Sequence, residues 1–476
     1  MVDSVELTAA HVDQLRSPMR RGAKLRPGIA AGVLSALLVA VPASAQPSAQ
    51  APSTGVVPSD GLTLAQVIDE ALKQSPAIGA ATAGLQVAAE SARFARAEQL
   101  PRFDFASRYD YLGPRQQLPM RGAVFNLRQL VAPFDYNDTL YRVGAGVSLP
   151  LYSGGRISAT IGREEFGQGR AQEDLRLSRE ELMTALARTY YRTLQLQEEV
   201  RATEASLASL RESQRLVRAQ VDVGTAARVE LLKINTRVAA VEQALIRVRN
   251  GEEVARTELT TLMGREGFTE KVQVRGPLAY TPGPRQLSEH LDLAIEQRPE
   301  LRAQDLTVSM EQQNVRIAHA ALLPQVNLNG FFEGIAGNAS PFFDQESAFV
   351  AVSIPLFAAQ DRVRVARARV RVNEAQEQLR QLRLRTRLEV EQAYLSLDAA
   401  EQQIAAARTG VEEAQEVLRI EQLKLSVGKG IAQDTLDAQA AALEAQNNYS
   451  RALADANVAR VALARATGTV ETLRTP

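Results

Sequence analysis

The sequence predicts a mainly helical chain built as a tandem repeat, a long-helix antiparallel bundle with two strands set into each copy. Three observations predict it. The words Val147-Ser148-Leu149-Pro150-Leu151-Tyr152 and Val352-Ser353-Ile354-Pro355-Leu356-Phe357 recur 205 positions apart. Each follows residues whose apolar side chains return at every second position, the period of a half-buried strand. Each precedes about 65 to 70 residues without proline, rich in Ala, Leu, Arg, Glu and Gln, ending only at Gly224 or Gly428.

Composition narrows the function classes. Only 5% of the 476 residues are aromatic and there is no Trp, which suits helices packed side by side better than a bulky globular core. Lys plus Arg (55) equals Asp plus Glu (55), so bulk charge does not favour nucleic acid as a partner. The absence of Cys removes disulfides, thiolate metal sites, Cys nucleophiles and an acylated N-terminal Cys.

At the N-terminus, residues 1–45 read as an extension and export signal. Met19-Arg20-Arg21-Gly22-Ala23-Lys24-Leu25-Arg26 is a basic n-region, Ile29 to Val41 an apolar run too short to span a bilayer, and Ala43-Ser44-Ala45 a small-x-small cleavage site. Residues 46–61, rich in Pro, Ser, Ala and Gln, read as a flexible linker.

Two copies follow, at 62–264 and 286–476, joined by a connection over 265–285. Ala71-Leu72, Pro76 and Pro101 match Ala294-Ile295, Pro299 and Pro324 at an offset of 223, while Tyr190, Gly224 and Gly264 match Tyr394, Gly428 and Gly468 at 204. The first copy therefore carries about 18 extra residues between its strands, where an exposed loop accommodates them. Each copy predicts a short helix (Leu64–Gln74, Leu287–Gln297), a second helix stopped by proline (Ala77–Leu100, Glu300–Leu323), two strands, the long helix, a glycine turn and a returning helix ending near Gly264 or Gly468. The second and returning helices together nearly equal the long one, so they are expected to stack end to end beside it. Leu397, Ile404, Val411, Leu418 and Leu425 form a seven-residue seam, matched in the first copy by Val200, Leu207, Leu210, Val217 and Val221 and broken by Gln214.

The strands are expected at about 102–112, 141–152, 324–334 and 347–357. Phe103, Phe105, Tyr109 and Tyr111 alternate with Arg102, Asp104, Arg108 and Asp110, and Val350, Val352, Ile354 and Leu356 line one face of the fourth. Ten-residue strands with one apolar face match an outer-membrane barrel wall. A soluble antiparallel sheet with one wet face shows the same alternation. Four strands cannot close a barrel, so a membrane wall requires several protomers.

From Leu62 onward the chain resembles the outer-membrane efflux protein family, the TolC-like channels. The resemblance rests on Leu62-Thr63-Leu64-Ala65-Gln66-Val67-Ile68-Asp69-Glu70-Ala71-Leu72 with Pro76, the strand-to-helix words, and the turns Val223-Gly224-Thr225 and Val427-Gly428-Lys429, in this order, duplication and spacing. It implies a homotrimer with a twelve-stranded transmembrane β-barrel and a periplasmic α-barrel. Such a protein is the passive exit duct of a tripartite efflux or type I secretion system, in outer-membrane lipid, served by a periplasmic adaptor (membrane fusion protein) and an inner-membrane transporter, with no cofactor. The resemblance further implies that the hairpin tips Val223, Gly224, Thr225, Ala226 and Val427, Gly428, Lys429, Gly430 meet the adaptor, and that Glu230, Asp434 and Asp437 line a pore constriction. By themselves the glycines are helix stops and the i,i+3 acidic pair compensates a helix dipole. In one family member a Tyr and an Arg help lock the tip, where this chain has Leu425 and Gly430.

Two other classes compete. With only His11, His290 and His319 and no catalytic or metal-ligand spacing, an enzyme is disfavoured. A non-conducting trimeric coiled-coil structural or adhesive envelope protein explains the helices but leaves the strands without a purpose.

Overall fold

The computed structural model describes residues 61–111, 139–265, 271–283, 286–337, 343–427 and 429–474. The expected export signal, all of the expected linker except Gly61, the long connection between the first two strands, and Gly428 lie outside the described residues.

Helix α1 (Leu64–Gln74) begins at a reciprocal cap: Thr63 Oγ1 accepts from Gln66 N at 3.5 Å, and Gln66 Oε1 accepts from Thr63 N at 3.0 Å. Helix α2 (Pro76–Ala97) starts on Pro76, whose missing N–H costs nothing at that position. The second copy repeats this with α5 (Leu287–Gln297) and α6 (Pro299–Ala320). Both α2 and α6 stop three residues short of the ends expected from Pro101 and Pro324. The residues before each proline instead tighten into i→i+3 turns, Leu100 N to Ala97 O at 3.0 Å and Leu323 N to Ala320 O at 3.1 Å.

The long helices are α3 (Arg156–Asp222, 67 residues) and α7 (Ala359–Ser426, 68 residues), each about 100 Å long at 1.5 Å per residue. Helices α4 (Arg228–Leu262) and α8 (Ala432–Thr467) return alongside them. The expected stacking is present, and a glycine makes each joint. Gly264, at φ +75°, lies so close to the α1–α2 corner that a Cβ there would sit 2.7 Å from Gln74 O; Gly468, at φ +72°, sits against Arg298 at the α5–α6 corner.

Strands β1 (Arg102–Tyr111), β2 (Thr139–Tyr152), β3 (Gln325–Gly337) and β4 (Phe343–Ser353) form one antiparallel sheet in chain order. The pairing sets Phe105, Ala145, Phe332 and Glu346 in one row, and Leu149, Leu328 and Val350 in another, so the apolar faces of all four strands coincide. Arg108 pairs with Arg142 on the opposite face. Helices α2, α3, α6 and α7 pack neighbour to neighbour in the same order as the strands they join. The fourth strand lies earlier than expected: Ile354, Leu356 and Phe357 fall beyond it. Ser353 pairs with Gln325, the first residue of β3, so nothing remains opposite Ile354, and Pro355 has no N–H to offer. In the first copy Pro150 stays within β2, at a register shift between Pro150 and Tyr152.

The first seam is buried within the chain: Leu207, Leu210 and Val217 pack on Ile234, Val238 and Val241 of α4 and on Leu425 and Leu436 of the second hairpin. Of the second seam only Leu425 is buried; Leu397, Ile404, Val411 and Leu418 are half-buried. Within the connection between the copies, the described residues 271–283 run across the bundle, with Val272, Val274 and Leu278 buried in the main core. Tyr190 Oη donates to Arg275 O at 2.6 Å, and Asn457 Nδ2 donates to Ala279 O at 3.0 Å. Among the described residues no helix is long and apolar enough to cross a membrane.

Candidate functional site

The two hairpin tips share one backbone. Between α3 and α4, Thr225 N and Ala226 N both donate to Gln220 O, at 2.8 and 3.2 Å; between α7 and α8, Lys429 N and Gly430 N both donate to Lys424 O, at 2.9 and 3.0 Å. Gly224 takes φ +78°, where a side chain would be strained. Gly430 approaches the preceding helix closely, since a Cβ there would lie 2.8 Å from Leu425 N. Val223, Val427 and Ile431 present apolar side chains to solvent within the chain.

The acidic residues do not share one environment. Glu230 is half-buried in the first turn of α4, where Lys233 Nζ donates to Oε1 at 3.1 Å and Oε2 has no hydrogen-bond partner. Asp434 and Asp437 are exposed on α8, and Asp437 accepts from Gln433 Nε2 at 3.0 Å. They open a stripe in which Asp434, Asp437, Ala441, Glu444, Asn448, Arg451 and Asp455 are exposed, while Thr435, Leu436, Ala438 and Gln439 turn into the core. The structure thus groups Asp434 with Asp437 and sets Glu230 apart on the other hairpin.

A polar node above the tips was not singled out by sequence reasoning. Gln439 is 3% exposed, and its Nε2 donates to Ser209 Oγ at 2.9 Å, with Ser213 Oγ at 3.4 Å. Ser209 Oγ also accepts from Gln422 Nε2 at 2.9 Å. On α4, Asn235 accepts from Gln214 Nε2 at 2.7 Å, which gives the polar break in the first seam a partner. Asn235 and Gln439 are 204 residues apart, the repeat offset, so α3 receives one amide from each returning helix. That offset was the available signal.

Farther up, where α3 meets the α5–α6 corner and the end of α8, charge is buried. Arg298, 5% exposed, donates to Thr386 Oγ1 at 3.0 Å and to Glu389 Oε2 at 2.7 Å. Burial opposes the charge on Glu389, but hydrogen bonds from Arg298 and Arg385 hold its carboxyl below the usual range. Glu180 is 1% exposed with neither oxygen hydrogen-bonded, and Arg176 Nε is 3.3 Å away. Burial pushes it up to about 7 against the pull of Arg176. Among the described residues no group of acidic or His side chains is placed to hold a metal ion. His290 lies beside the Tyr394 ring, centroids 6.2 Å apart, and His319 is exposed.

The model of a family described as outer membrane efflux protein matches residues 67–265 and 290–469. Outer membrane efflux protein BepC of Brucella suis biovar 1 is 23% identical over 412 residues, 85% of this chain and 85% of that protein. Pyoverdine export outer membrane protein OpmQ of Pseudomonas putida is 24% identical over 419 residues, again 85% of each. Among solved structures, the Campylobacter jejuni CmeC outer membrane channel superposes with a TM-score of 0.74 at 16% identity, covering 88% of this chain and 90% of that one.

Proposed function

The chain belongs to the outer membrane efflux protein family and has the TolC-like channel fold, and on that premise we propose that it is the exit duct of a tripartite export system. Three copies pool their sheets into a twelve-stranded barrel, and their helices enclose a periplasmic tunnel. Substrate passes through it passively from an inner-membrane transporter and a periplasmic adaptor. The protein performs no chemistry; the pump supplies the energy.

The observation that carries this reading is the four-stranded sheet with two open edges. Its register gathers Phe103, Phe105, Leu149, Leu328, Val350 and Val352 on one face, and β1 and β4 have no second partner among the described residues. In hydrocarbon each unpaired edge amide costs several kcal/mol, so the edges must close on other copies. Exposed apolar side chains on α7, including Val363, Val370, Leu384 and Leu395, give neighbouring copies a surface to pack on. In this assembly the tips meet the adaptor, and Asp434 and Asp437, with Glu230 behind them, ring the narrow end.

Recordings of purified trimers in planar bilayers test the proposal. Ion currents are expected, increasing when Asp434 and Asp437 are replaced by Ala, and deletion of the coding region is expected to abolish export by the cognate pump. Trimers that conduct under neither condition leave the coiled-coil structural reading in place.

A further inference from the structure

We propose that the first four turns of α7 form a basic collar that binds the anionic headgroups of glycerophospholipids in the periplasmic leaflet of the outer membrane. This rests on the exit-duct reading, which places the strand-to-helix junctions at the lower edge of the bilayer.

Five arginines, Arg362, Arg364, Arg367, Arg369 and Arg371, fall within ten residues at the start of α7, and all are exposed. Arg364 pairs with Asp361 at 2.5 Å; the guanidinium groups of the other four make no hydrogen bond or ion pair with any described residue. The carboxylate that a helix N-terminus favours is already supplied by Asp361, and the arginines beyond Arg364 lie past the first turn, where the helix dipole offers them nothing. Spaced three and four apart, Arg364, Arg367 and Arg371 repel one another, a cost that an anionic partner relieves. The first copy lacks the feature. At the corresponding positions 204 residues earlier stand Ser158, Thr160, Arg163, Glu165 and Gly167, and Arg163 is already paired with Glu164.

Helical geometry says where the charges go. Val365 and Ala368 are buried against Ala318 of α6. Val363 and Val370 are exposed on the far side, where a neighbouring copy packs in the proposed trimer. At 3.6 residues per turn the arginines occupy the two faces left between these contacts, Arg362 with Arg369 on one and Arg364, Arg367 and Arg371 on the other. In a single-layer helical barrel one of these faces looks outward and the other into the tunnel.

Immediately before the helix, Ile354, Leu356 and Phe357 are 57%, 95% and 83% exposed. An apolar segment followed at once by clustered arginines suits the boundary between acyl chains and phosphates, where basic residues attract anionic lipid. Arginine also binds phosphate through paired N–H donors. The outward face is therefore the lipid-binding one.

The test uses full-length protein in phosphatidylcholine vesicles containing a minority of phosphatidylglycerol, with co-extracted lipid counted by mass spectrometry. Wild type is expected to retain phosphatidylglycerol above its bulk fraction. Either R362Q/R369Q or R364Q/R367Q/R371Q, but not both, is expected to bring the retained phosphatidylglycerol down to its bulk fraction, since each arginine contributes about 1 kcal/mol to binding anionic lipid, while both variants remain trimeric and conduct. Unchanged enrichment in both variants overturns the proposal. So does a pair of variants that alter only the ion selectivity of the pore, which assigns the arginines to cargo. A wild type that retains the anionic lipid but never conducts would count against the exit-duct reading and leave the collar standing.

Discussion

Gln439 on α8 donates to Ser209 on α3 at 2.9 Å, fastening the second hairpin to the first just above the tips. The bond is part-buried, and the amide's own Oε1 has no hydrogen-bond partner. Gln439→Leu removes the donor and the unsatisfied oxygen together, leaving Ser209 to Gln422. The expected outcome is a looser junction between the hairpins, seen as a higher open probability in planar bilayers; the net worth of one such hydrogen bond, about 0.5 to 1.5 kcal/mol, sets the scale. Gln214→Ala, which cuts the exposed bond within the first hairpin, is expected to leave open probability near wild type.

Charge near the hairpin tips divides unequally. Asp434 and Asp437 are exposed, whereas Lys233 already offsets Glu230. Replacing both aspartates by Ala is expected to lower cation over anion permeability severalfold, read from reversal potentials across a salt gradient. Glu230→Ala is expected to shift it less.

Glu180 links stability to pH. Its carboxyl is raised to about 7 in the folded chain from an ordinary 4.5, chiefly by burial. Below both values the group is neutral in either state and imposes no penalty. As pH rises from about 4.5 to 7, the unfolded chain ionises freely while the folded one holds its proton, so folding stability falls and then levels off. The full effect is roughly 3 kcal/mol. Thermal melts between pH 5 and 8 are expected to show this decline in wild type and much less of it in Glu180→Gln, which is the more stable protein at pH 8.

The glycine joints carry strain tests of different severity. Gly264→Ala would set a Cβ 2.7 Å from Gln74 O at a positive φ, whereas at Gly468 the nearest atom, Arg298 N, is 3.1 Å away. The left-handed backbone alone costs about 1 to 2 kcal/mol for a residue with a Cβ. Gly264→Ala is expected to lower the melting temperature clearly, and Gly468→Ala by less.

Much of the fold was legible because its signals are local and repeated. Both short helices, Leu64–Gln74 and Leu287–Gln297, lie where the repeat plan put them, and the two hairpin turns share the backbone pattern that an offset of 204 implied. Errors fell at ends that depend on a neighbour. β4 stops at Ser353 because β3 begins opposite it, and α2 and α6 unwind early to enter the sheet. The candidate site was less legible: Asp434 and Asp437 do share an exposed face, but the pairing of Glu230 with Lys233 and the Gln439–Ser209 bond depend on rotamers and on which helices meet.

The sequence by itself determined the period of every element, the duplication, and the two-faced character of the strands, because each follows from residues within a few positions of one another. Tertiary structure alone decided the strand register that brings four apolar faces onto one side, the corners into which Gly264 and Gly468 fit, and the burial of Glu180. Those depend on contacts between residues up to hundreds of positions apart, whose geometry no local pattern encodes.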